Sequence, residues 1–93
     1  MGISKKRAQY YYEQFENLSL RITWKYFVYV LKKHYGFEMH SSGKTSGAQR
    51  AFIKGEIRFT AHEPHGGDDH VDIVSRKNAI RAIEMLEATN KRS

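Results

Sequence analysis

No cysteine occurs in these 93 residues, and that absence governs how the chain can fold. A chain of this length has room for one core. Neither a disulfide nor a thiolate zinc site can hold that core together. The fold must therefore come from apolar faces that repeat at helix and strand periods. Lack of cysteine also suits a cytoplasmic protein. The basic start, Lys5-Lys6-Arg7, leads into no apolar signal segment, and no apolar run nears the length of a membrane span. The expectation is one cytoplasmic domain over residues 1–93 with no membrane partner.

Two helices open the pattern. Ser4 can cap the first, expected over residues 3–18, where Ala8, Tyr11, Tyr12, Phe15 and Leu18 fall on one face. Tyr10 stays off that stripe. Thr23 reads as the cap of the second helix, in which Trp24, Phe27, Val28, Leu31 and Tyr35 repeat at helical spacing. Lys32, Lys33 and His34 suit its negative end, and Gly36 supplies the stop. Tyr26, Tyr29 and Val30 add apolar surface outside the main stripe. Together with Tyr10, Tyr26 and Tyr29 read either as a protein-binding patch or as packing between the helices.

Three short strands follow. Phe37 to His40 alternates, and a Gly- and Ser-rich connection runs from Ser41 to Gly47. A hairpin then pairs Ala48–Ile53 with Glu56–Ala61 around Lys54-Gly55. With that two-residue turn, Phe52 lies beside Ile57 and Gln49 faces Thr60. Ala48, Phe52, Ile57, Phe59 and Ala61 face the core with Arg50 at its edge, while Gln49, Ala51, Arg58 and Thr60 line the other face. Pro64 and Gly66-Gly67 end the last strand. A third helix is expected from about Ser75 to Thr89, with Ala79, Ile80, Ile83 and Leu86 inward and Arg76, Lys77 and Arg81 solvated. The whole is an α+β fold: a small three-stranded antiparallel sheet with helices packed on one face, in the order α-α-β-β-β-α. Residues 23–88 form its α-β-β-β-α core.

Sixteen lysines and arginines against ten acidic residues give a net charge of +6. Such an excess on a small chain favours polyanionic partners, nucleic acid first. Lys44, Gln49, Arg50, Lys54 and Arg58 are the candidate RNA-binding residues. His65 and His62, at the end of the last strand, are the candidate catalytic residues, with His65 preferred of the two. An imidazole near neutral pKa can exchange a proton with a ribose 2′-hydroxyl or a leaving 5′-oxygen. That chemistry needs no metal and no cofactor, and it spares DNA. Gly43-Lys44-Thr45 is not a phosphate-binding loop, because Glu38 stands where the motif needs glycine. His62, His65 and His70 with Asp68 or Asp69 lack the regular spacing of a metal site, and none is assigned.

Several segments resemble one family. Thr23-Trp24 followed by Val30-Leu31-Lys32-Lys33-His34-Tyr35-Gly36-Phe37-Glu38 is similar to the opening of HicA (YcfA-like) toxins, in particular longer members with an extra N-terminal helix. Gly47-Ala48-Gln49-Arg50-Ala51-Phe52 matches the family's Gly-Ser-His segment, and Thr60–Gly67 matches its strand end. The resemblance spans roughly residues 5 to 88. It implies a double-stranded-RNA-binding-like fold and a toxin of a toxin–antitoxin pair, an mRNA interferase neutralised by a HicB-like antitoxin. The family's catalytic histidine falls on Gln49 and its serine on Ala48. Glutamine exchanges hydrogen bonds but no proton near neutral pH. Two readings stay open: an endoribonuclease in which His62 or His65 transfers the proton, and a catalytically silent RNA- or protein-binding module of the same fold.

Overall fold

The computed structural model describes residues 5–41, 49–64 and 69–92. Helix α1 spans Lys5–Glu16 and helix α2 Trp24–Tyr29, continued by a π-helical turn over Val30–His34. Strands β1 (Glu38–Ser41), β2 (Gln49–Lys54) and β3 (Ile57–His62) form an antiparallel sheet in the order β1-β2-β3. Helix α3 runs over Ile73–Arg92. The α+β class, the element order and the three-stranded sheet agree with the sequence. Among the described residues, no helix is long and apolar enough to cross a membrane.

Thr23 caps α2 as its spacing predicts: its backbone is extended, and its hydroxyl oxygen accepts from the Tyr26 N–H at 3.2 Å. The end of α2 departs from expectation. The Tyr35 N–H reaches back to the Val30 carbonyl, one residue further than in an α-helix. Val30, expected outside the stripe, is fully buried beside Leu31; its own N–H still bonds in α-helical fashion, and it lies three residues after the buried Phe27. Gly36 then takes a positive φ of 79° and stops the helix. The Lys54 ammonium donates to the Tyr35 carbonyl at 2.8 Å and satisfies one of the helix's orphan acceptors.

The hairpin turn sits one residue later than read from the sequence. Lys54 pairs with Ile57, so Gly55-Glu56 forms the turn, with Gly55 at φ 59°. A glycine at the first turn position and no positive φ at the second is the II′ arrangement, which follows strand twist. Phe52 therefore opposes Phe59 rather than Ile57, and Gln49 opposes His62 rather than Thr60. Because the slip is two residues along the partner strand, every described side chain of the hairpin keeps its expected face.

One face of the sheet carries the helices. The Phe52 and Phe59 rings stack with centroids 5.0 Å apart, and Phe27 and Phe37 meet them edge-on. Phe15 of α1 reaches Phe27 at 5.2 Å and is itself fully buried, so the first helix belongs to the same core. From α3 come Ala79, Ala82, Ile83 and Leu86. Arg76, expected in solvent, is only 3 % exposed. Its guanidinium donates to the carbonyls of Gln14, Phe15, Asn17 and Leu20 at 2.8–3.1 Å. Gln14 and Phe15 are orphan acceptors in the last turn of α1, where the helix dipole also favours a cation, and Asn17 and Leu20 lie in the turn that follows it. The helical stripe of α3 did not reveal this, because the partners lie some 60 positions away in the chain.

Candidate nucleic-acid interface

Strand alternation leaves the second face of the sheet without helices. It carries Glu38 and His40 from β1, Gln49, Ala51 and Ile53 from β2, and Arg58, Thr60 and His62 from β3. Three rungs cross it: Glu38–Ile53–Arg58, then His40–Ala51–Thr60, then Gln49–His62. Glu38, His40, Gln49, Arg58 and His62 are exposed. Ala51, at the centre, is buried although it faces away from the core. Its short side chain lies on the middle strand between longer neighbours.

Helix α3 fixes the position of His62. Its backbone N–H donates to the buried Ser75 hydroxyl at 2.8 Å, and the Asn78 side chain donates to the Thr60 carbonyl at 3.0 Å. Thr60 and His62 therefore turn their backbone groups outward, away from β2. Gln49 and His62 then form a non-hydrogen-bonded pair, in which Cα atoms approach to about 4.5 Å and side chains lie close. The position matching the family's histidine thus faces a histidine across the ladder.

The RNA-binding residues read from the sequence do not share one surface. Gln49 and Arg58 lie on the open face. Arg50 lies on the helix side, where its guanidinium meets the Glu63 carboxylate at 3.0 Å. Lys54 shares that side and is held at the end of the π-helical turn. Lys44 and His65 lie outside the described residues, as do Ala48 and Gly66 to Asp68. His40 was missed as a site residue. Its side chain is 55 % exposed and 3.4 Å from Glu38. The alternation of Phe37 and Met39 with Glu38 and His40 is the signal that places it on the open face. Among the described residues, no three His, Asp or Glu side chains gather as a metal site would require.

The tyrosines assemble elsewhere, around His34. The Tyr11 hydroxyl lies 3.0 Å from His34 Nε2, and Tyr29 meets the same ring edge-on. Tyr26 donates to Gln14, and burial raises its phenol pKa. These contacts join α1 to α2, while Tyr10 and Tyr29 keep about half their surface exposed.

The chain matches no protein-family model, no curated protein and no solved structure. The HicA resemblance therefore rests on the sequence segments themselves.

Proposed function

We propose that the chain is a HicA-like, RNA-binding toxin that takes its RNA across the open sheet face and cleaves it through His62. The pairing of His62 with Gln49 carries this reading. It sets an imidazole beside the position where the family resemblance expects one. The net charge of +6 supports a polyanionic ligand, and Arg58 supplies a cation on the same face. His40 stands on that face one rung along and two strands away.

In this reading the ribose 2′-hydroxyl gives its proton to His62 as its oxygen bonds to phosphorus. The bond from phosphorus to the 5′-oxygen breaks, and the leaving oxygen takes up a proton. A 2′,3′-cyclic phosphate and a 5′-hydroxyl result. A HicB-like antitoxin is the protein partner that goes with it. Gln49 itself favours the second reading, a silent RNA-binding module, because it holds no proton to transfer.

The test is incubation of purified protein with a defined RNA and with its all-2′-deoxy counterpart, both in the presence of chelator. Cleavage of the RNA alone, leaving cyclic phosphate ends, supports the first reading. Salt-sensitive binding without cleavage supports the second. Neither binding nor cleavage removes RNA from the account.

A further inference from the structure

A second feature lies at the edge of the sheet. Between the outer side of β3 and the neighbouring face of α3 is an open cleft of about 310 Å³. The strand contributes Arg58 and Thr60, and the helix contributes Asn78, Arg81 and Met85. Asn78, Arg81 and Met85 are spaced by three and four residues, so one helical face presents them all. No carboxylate among the described residues lines the cleft. Among the described residues, neither Arg58 nor Arg81 has an ion pair or side-chain hydrogen bond. Two guanidiniums lining one concavity offer paired donors to an anion placed between them.

The walls are already fixed. The bond from Asn78 to the Thr60 carbonyl ties helix to strand at the cleft. By the same alternation that turns Thr60 and His62 outward, the backbone N–H of Arg58 also points to this edge. Met85, half exposed, supplies an apolar wall suited to a base or sugar.

We propose that this cleft binds the phosphate of a nucleotide. The phosphate sits between Arg58 and Arg81, with the base or sugar against Met85. Arg58 and Thr60 belong to both surfaces, so the cleft continues the open face around the β3 edge. A strand leaving His62 would enter it. The inference rests on the RNA reading only for the source of the nucleotide: free nucleotide and RNA backbone present the same chemistry.

Nitrogen–proton NMR titrations with AMP, inorganic phosphate and a short RNA separate the cases. AMP is expected to shift the Arg58, Thr60, Asn78 and Arg81 signals at lower concentration than inorganic phosphate does. Arg81→Ala and Arg58→Ala should each weaken AMP at least tenfold, and Arg81→Lys less. Both arginines are exposed, so a retained amide spectrum will show that the variants fold. AMP binding without RNA binding supports the cleft and overturns the RNA reading. RNA shifts confined to His40, Gln49 and His62, with AMP silent, overturn the cleft and leave the RNA reading standing. AMP shifts no stronger than those of phosphate overturn the nucleotide assignment.

Discussion

Arg76 and His62 show how differently single residues can be fixed. Arg76 is nearly sealed from solvent, and burial lowers its pKa, yet among the described residues no carboxylate pairs with it. Four main-chain carbonyls hold the charge instead. Arg76→Ala would leave those carbonyls without their donor in a closed site. It should lower stability by about 3 kcal/mol, read as a drop in denaturant midpoint at unchanged slope. Arg76→Lys keeps the charge but not the fork of donors, and should recover only part of the loss. Tyr12 acts in the opposite pH range. Its hydroxyl donates to Glu84 at 2.7 Å, and that bond, with burial and nearby carboxylates, raises its pKa from 10.0 to about 12. Burial raises Tyr35 as well, whose hydroxyl donates to the Ala8 carbonyl. A raised folded-state pKa means that the folded chain holds the proton more tightly than the unfolded one. The stabilisation is complete below the unfolded value near 10 and is lost as pH climbs through about 12. Stability should therefore fall over that interval, and Tyr12→Phe should flatten part of the fall.

Among the elements, the end of α2 carries the most tightly determined backbone. Gly36 has a left-handed φ, and a Cβ there would come within 2.7 Å of the Lys54 ammonium. The lysine tip can move, but moving it takes the donor off Tyr35, and the strained φ remains. Gly36→Ala should cost about 1–2 kcal/mol. Gly55→Ala meets nothing within 4 Å, so only its φ penalty remains and the loss should be smaller. Thermal unfolding of the two variants side by side checks the order. Much of this was legible in the sequence. Thr23 and Gly36 bracket the helix because capping is a local property. The strand faces followed from alternation, which survives a slip of two residues. The hairpin register was misread: a tight turn over Lys54-Gly55 would ask a positive φ of Lys54, whereas Gly55-Glu56 puts the glycine at the one position that needs it. The burial of Val30 was also missed, although it stands at i+3 from Phe27, a helical neighbour. The facing of Gln49 and His62 depends on that register, so the pair was missed along with it. His62 as a candidate was not.

At the scale of the molecule, α1 is part of the core rather than an addition to it. Phe15 packs on Phe27, Arg76 closes the helix end, and Tyr12 joins Glu84 of α3. A chain beginning at Arg21 would expose Phe27 and leave Arg76 without its acceptors. It should show no cooperative unfolding transition, where the full chain shows one. The helical layer thus packs one side of the sheet, while Glu38, His40, Gln49, Arg58 and His62 stay exposed on the other. Ser75 and Asn78 hold the β3 edge so that His62 keeps its rung. In the proposed function this histidine transfers the proton in RNA cleavage. The most direct measurement compares single-turnover cleavage of one defined RNA by the native chain and by His62→Ala, with RNA affinity determined in parallel. The account predicts a rate at least about a hundredfold lower for the variant, with affinity changed less than threefold. Native-like cleavage by His62→Ala would contradict it.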